Sequence, residues 1–190
     1  NTELADIRSG LSHKGKVRTA VLLGRKKGKV DEVITDLGNS VLQANPSAFL
    51  IYLDSAKTAT PYDWCSQFAR NLRTNAGVPL ASLAKFALTT GKSLSPFKQV
   101  ENVGPPEPSA GTAIANELVK NFEALTQSGT NGSSAPHIVL AIKNLSDYSD
   151  EMLDWLSDSL NPVFRKSKFF KGCRFVFSTQ QISTREKTFF

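Results

Sequence analysis

The sequence predicts an α/β fold with a mainly parallel sheet and helices on both faces, and three features point to it. Short, β-branched, apolar runs recur along the chain, as expected for strands buried on both sides. Between them lie stretches whose apolar residues fall at helical spacing. Glycine, proline and small polar residues punctuate the transitions. Strands alternating with helices build a parallel sheet, because parallel neighbours need helical crossovers. At 190 residues, 40% hydrophobic and 21% charged, the chain is sized for one domain.

Residues 1–16 are polar and basic, with Gly10 and Gly15, and read as an arm or a short capping segment ahead of a domain over 17–190. The first strand covers about 17–23 and ends at Gly24. A glycine-and-lysine turn over 24–29 leads into a helix in which Val33, Ile34, Leu37 and Val41 form a stripe. Asp31 and Glu32 lie in its first turn, where the helix dipole favours carboxylates, and Pro46 closes it. Residues 48–54 form the second strand. A helix over 63–75 carries Trp64, Phe68 and Leu72 on one face, and a second, over 80–90, ends at Gly91.

Residues 92–111 hold four prolines among glycines and serines and read as a long loop or insertion. Ile114, Leu118, Phe122 and Leu125 mark another helix, followed by a small-residue turn over 128–134. The third strand is 137–142. Ser149 caps a helix bearing Met152, Leu153, Leu156 and Leu160, which Pro162 stops or kinks. The fourth strand is 173–178. No internal repeat is present.

The residue inventory excludes several chemistries. Only two histidines, His13 and His137, are available for metal or acid–base work. Cys65 and Cys173 are too far apart for a zinc cluster or a disulfide scaffold, and a reducing, intracellular setting is expected. No G-x-S-x-G elbow or Cys/His pairing supports a hydrolase. There is no apolar run of transmembrane length, so no membrane insertion of this segment is expected, and the start lacks a signal-peptide pattern. Phe189 and Phe190, two aromatics at the end, point to a chain that continues in a longer protein.

The strand, turn and helix at 17–44 carry the most information. A phosphate loop needs a strand, a glycine-rich turn, a lysine for the outer phosphates and a hydroxyl for magnesium. Gly24, Gly28 and Lys29 occupy that context, with one residue fewer between the glycines than the usual motif and Val30 where the hydroxyl belongs. The stretch 138–147 resembles a Walker B strand, with Lys143 at the position of the aspartate and Asn144 beside it. The stretch 172–180 resembles a sensor strand, with Thr179 or Gln180 at the sensor position. Together these resemble a degenerate P-loop NTPase domain of the AAA+/STAND type, across roughly residues 17–180 and more in element order than in motif.

That resemblance implies a three-layer P-loop NTPase-like fold whose phosphate-loop candidates are Gly24, Gly28 and Lys29. Magnesium demands hard oxygen ligands. Val30 removes one, and an ammonium at Lys143 replaces another with a repelling charge. The expected function is therefore a non-hydrolysing regulatory or scaffolding interaction module. It would have no catalytic residues and no metal, and would bind no cofactor or take ATP or ADP without magnesium. Its expected partner is an active ATPase or a second copy in an oligomer. The alternatives are a nucleotide-binding ATPase with non-standard motifs, in which Asp147 is a displaced acidic ligand, and an α/β domain that binds nucleic acid.

The nucleic-acid alternative rests on charge. The formal net charge is +6, with lysine and arginine concentrated at both ends around an acidic middle. In the predicted topology the basic residues divide. Arg25, Lys26, Lys27 and Lys29 share the carboxyl edge of the sheet with Arg185 and Lys187. Arg165, Lys166, Lys168 and Lys171 lie at the amino edge. Two separate patches favour weak nucleic-acid binding and an acidic protein partner met by Phe169, Phe170 and their basic neighbours. Asp54 is expected to cap a loop or to act as a catalytic carboxylate, and either Asp54 or a bound anion is expected between Lys143 and Lys29. Asp150, Asp154 and Asp158 are expected to form a solvated helix face.

Overall fold

The computed structural model describes residues 2–11, 18–24, 27–101, 108–129 and 136–180. Arg25, Lys26, Arg185, Lys187, Phe189 and Phe190, and the turn over 130–134, lie outside these. A five-stranded sheet runs in the order β1–β5–β4–β2–β3. Its strands are β1 (Thr19–Leu23), β2 (Ala48–Asp54), β3 (Leu72–Thr74), β4 (His137–Lys143) and β5 (Arg174–Thr179). The β1–β5, β4–β5 and β2–β4 pairs are parallel, and β3 adds an antiparallel edge to β2. The parallel strands are those the sequence predicts.

Helices α1 (Thr2–Gly10) and α2 (Lys27–Ala44) cover one face of the sheet. The core there is small: Ala20, Ala48, Leu50, Val139, Ala141 and Val176 meet Ile34, Leu37 and Val41. Small side chains let a helix lie close to the strands. Gly38 makes the closest approach. A Cβ there would collide with the Tyr52 hydroxyl and lie 3.1 Å from Leu50 Cδ1. The same hydroxyl donates to the Thr35 carbonyl at 2.7 Å. Gly38→Ala is therefore expected to destabilise by about 1–3 kcal/mol through overpacking. Tyr52→Phe, which removes the obstructing oxygen, should recover part of that loss. Strict additivity of the two changes in a denaturant double-mutant cycle would refute the contact.

The segment read as an arm is helical over Thr2–Gly10, and the following Leu11 is fully buried against α2. Helix α2 begins at Lys27, so Gly28 and Lys29 belong to its first turn rather than to the loop before it.

The other face is covered by α3 (Pro61–Arg70), α4 (Leu80–Glu101), α5 (Pro108–Gly129), α6 (Asp150–Asp154), a π-helical stretch Trp155–Leu160 and α7 (Asn161–Lys166). Its core is aromatic. Phe122 has its ring centroid 4.9 Å from Phe170, 5.4 Å from Phe49 and 6.0 Å from Phe86. Trp64 meets Trp155 edge-on at 5.6 Å.

Three expectations are corrected on this face. The helix predicted over 63–75 stops at Arg70, because Asn71 turns out and donates through Nδ2 to the Tyr52 carbonyl at 2.8 Å. Leu72, which continues the helical stripe of Trp64 and Phe68, is buried from a strand instead. The loop read over 92–111 is helical over 92–101 and 108–111, and the helix predicted to end at Gly91 runs on through it and through Pro96. Phe86, Thr90 and Leu94 are buried on the inner side of α4 while Pro96 and Lys92, whose carbonyl loses its donor to the proline, are exposed, so packing outweighs propensity. Pro162 does not stop the helix, one of the two outcomes expected of it. The π-helical stretch before it, with Asn161 N donating to the Leu156 carbonyl, shifts the ladder so that the proline falls at the start of α7. The Ser149 cap stands as predicted, its Oγ accepting from Met152 N at 3.3 Å.

Candidate functional site

Because β1, β5, β4 and β2 are parallel, their carboxyl ends converge on one edge, the edge where open α/β sheets place their ligands. Gly24 follows β1 there, Lys143 ends β4, and Thr179 ends β5. Gly28 and Lys29 enter α2 at the same edge, so the phosphate-loop candidates and the Walker B position lie on one side of the sheet. Gly24 N donates to the Thr179 carbonyl at 3.3 Å. Asn144 N donates to Ser178 Oγ at 3.0 Å, and Ser178 Oγ donates on to Asp31 Oδ1 at 3.4 Å. This chain ties β4, β5 and the first turns of α2 together.

Asn144 holds φ 56, the left-handed region that asparagine tolerates better than most residues, and it is buried. The turn lets the chain leave β4 sharply into the 3-10 turn Leu145–Asp147. Asp147 is exposed on that turn, beyond the strand.

The glycine at the head of the loop has a specific neighbour. A Cβ on Gly24 would collide with Val30 Cγ2. Val30, read from the sequence at the position of a magnesium-binding hydroxyl, therefore packs back against Gly24.

An open cleft of about 450 Å³ lies beside this point, lined by Asp31, Glu32, Thr35, Asp36 and Lys143. Side chains alternate along a strand, so Val139, Ala141 and Lys143 share the face under α2. The same rule assigns Val176 and Ser178 to that face and Phe177 and Thr179 to the other. The polar residue of β5 that reaches α2 is therefore Ser178, one position before the predicted sensor candidates. Thr179 is buried and Gln180 is exposed. Asp31, read from the sequence only as a dipole partner, sits at the centre of the site. Its signal was its place two residues after Lys29. Ser178 had none beyond strand parity.

The carboxylates around Lys143 come from α2. Asp54, its register partner on β2, is engaged elsewhere, with Oδ1 accepting from Ala56 N at 3.1 Å to cap the turn Ser55–Lys57. Behind it, Thr58 Oγ1 and the Tyr148 hydroxyl share a hydrogen bond of 2.6 Å in a buried position. Burial pushes the Tyr148 phenol well above the ordinary tyrosine value, the Thr58 bond opposing and Asp54 adding to the rise. Burial likewise pushes Tyr52 up to about 12, opposed by Arg73, whose guanidinium lies 5.5 Å from its ring centroid. A raised folded-state pKa contributes stability that is complete below the unfolded value and is lost as pH rises through the folded one. Stability should accordingly hold to about pH 10 and decline toward about pH 12, with Tyr52→Phe flattening the decline. An identical alkaline profile for that variant would place the titration on other groups.

The surface predicted around Phe169 and Phe170 is not available as such. Phe170 is buried, stacked on Phe164 at 4.2 Å, and Phe169 is half-buried under Lys168 Nζ at 4.9 Å. The run 167–172 folds back tightly, with Lys171 N bonded to the Ser167 carbonyl at 2.9 Å and Cys173 N to the Phe170 carbonyl at 2.8 Å, which turns Phe170 inward. Neither cysteine is in a disulfide and both are buried, and burial raises the Cys173 thiol far out of its reactive range. Among the described residues no group of His, Cys, Asp and Glu has metal-holding geometry, and no helix is long and apolar enough to cross a membrane.

The fold and site thus define an α/β domain with a mainly parallel sheet and a polar cleft at its carboxyl edge. No family model, no curated protein and no solved structure matches the chain.

Proposed function

We propose that this is a degenerate P-loop domain of AAA+/STAND type that has given up magnesium-dependent hydrolysis and serves as a regulatory or scaffolding interaction module. One observation carries the reading: at the edge where a nucleotide would lie, Val30 packs on Gly24, and Lys143 stands among Asp31, Glu32 and Asp36. A magnesium nucleotide needs a hydroxyl and a carboxylate where these side chains stand. The Lys143 ammonium offsets one of the three carboxylate charges and stands where a metal would have to approach them, so it opposes a divalent ion in the cleft. The three carboxylates also oppose an incoming phosphate, which counts against the active-ATPase reading. The basic residues at the amino edge, Arg165, Lys166, Lys168 and Lys171, adjoin neither the cleft nor Lys29 in the topology, which counts against a single nucleic-acid groove.

The purified protein is expected to release no phosphate from Mg-ATP above background, and calorimetry should show no gain in nucleotide affinity when magnesium is added. Turnover that disappears in Lys29→Ala would refute the proposal and establish an ATPase with unusual motifs. Nucleic-acid binding should be weak and disappear between low and physiological salt.

A further inference from the structure

We infer that the outward face of α4 is a docking surface for an acidic amphipathic helix of a partner protein; this rests on the reading of the domain as an interaction module and names the surface it uses. Three large hydrophobic side chains stand out in water among the described residues, and two of them, Leu80 at 83% and Leu88 at 61% exposure, lie on α4. Their spacing puts them on one side of the helix, with exposed Ala84 between them and Ala81 alongside. Gly91 extends the strip, and a Cβ built there would meet nothing within 4 Å. Leucines at either end of small residues make a shallow trough that a second helix can approach closely.

Charge selects the occupant. Exposed Lys85 and Lys92 both line the side of the strip away from the core, and α4 carries no acidic residue before Glu101. Among the described residues neither lysine forms an ion pair. With no carboxylate beside them on this stretch of α4, such lysines attract a helix that brings its own around an apolar stripe and repel a basic one. A lipid surface fits less well. The strip from Leu80 to Leu88 is about 12 Å long at 1.5 Å per residue. The aromatics of α4 are turned away from it, Phe86 into the core and Phe97 against it, so it lacks the anchors of an interfacial helix. The strip also lies on the aromatic layer with α3 and α5, across the sheet from α2 and the cleft. Docking there leaves the carboxyl edge free.

The test uses the whole chain and a synthetic helical peptide of about 20 residues, long enough to hold a helix, with a leucine stripe flanked by glutamates. A lysine-flanked twin and vesicles rich in phosphatidylserine serve as the other arms. The expected result is saturable binding of the glutamate-flanked peptide, with amide shifts centred on residues 80–92 and weaker binding of the twin. Leu80→Asp and Leu88→Asp should each weaken that binding about tenfold at unchanged melting temperature. The pair Lys85→Glu and Lys92→Glu should transfer the preference to the lysine-flanked twin, a reversal that lost folding cannot mimic. The inference is overturned by no saturable binding, by equal binding of the two peptides, or by shifts elsewhere on the protein. Vesicle binding that Leu88→Asp abolishes would make the strip a membrane contact instead, and self-association that it abolishes would make it a contact between copies. Mg-ATP turnover in the same preparation would refute the pseudo-ATPase reading and leave the peptide result standing.

Discussion

Phe122→Ala is expected to destabilise the domain by about 3–5 kcal/mol, the range for deleting a large aromatic from a packed core. The ring is fully buried and sits where α5 meets the sheet, with Phe49 from β2 on one side, Phe170 on another, and Phe68 and Phe86 from α3 and α4 around it. Its loss opens a cavity walled by other rings, which have few rotamers with which to fill it. Domains of this kind hold only about 5–15 kcal/mol in total, so the variant is expected to unfold at much lower denaturant. Phe122→Leu, which keeps most of the volume, should cost less. An alanine variant that loses under about 1 kcal/mol, an ordinary surface value, would show that the aromatic layer is not the centre of the fold.

The prediction also shows what the sequence made legible. Phe122 lies in a stripe with Ile114, Leu118 and Leu125, and that periodicity identifies the helix and its buried face. The parallel strands are equally readable, because β2 and β4 bury nearly every side chain and therefore appear as unbroken apolar runs. Misreadings arose where local signals compete with tertiary contacts. Leu72 fits a helical stripe and a strand equally well, and only the Asn71 bond to Tyr52 and the open edge of β2 decide between them. Gly91 and Pro96 are strong breakers by composition, yet burial of Phe86, Thr90 and Leu94 holds α4 together across them.

The candidate site was legible at the level of elements. The order of strands is enough to bring Gly24, Lys143 and Thr179 to one edge. Which polar side chain of β5 faces α2 depends on strand parity, and parity depends on a register that no local pattern in 172–180 declares. Asp31 became visible as a site residue only once α2 was seated on β4. Seating depends on Gly38 and the alanines of the sheet, none of which carries a functional signature.

Lys143→Asp is expected to convert the cleft into a divalent-cation site. In the native chain the ammonium offsets one of the three charges of Asp31, Glu32 and Asp36, and it repels any metal that approaches them. Replacing a positive with a negative charge about 6 Å from a divalent ion, in a solvent-like dielectric, changes their interaction by about 3 kcal/mol, or roughly a hundredfold in affinity. Solvent-like screening is the appropriate limit because the cleft is open and Lys143 is only partly buried. Without metal the variant should be less stable than the native protein at neutral pH, since four carboxylates then share the cleft. With magnesium or calcium at ten times its dissociation constant it should gain about 1.4 kcal/mol, a rise of roughly 3–6 °C for a chain of this size. The native protein should show no such shift. On the proposed P-loop reading, adding Val30→Thr supplies a hydroxyl beside the cleft and should extend the gain to magnesium nucleotide. A metal-induced rise of the same size in the native protein would mean that Lys143 does not guard the cleft. No rise in a folded Lys143→Asp variant would mean that the α2 carboxylates are not directed at its position, and the charge argument for a pseudo-ATPase would fall with it.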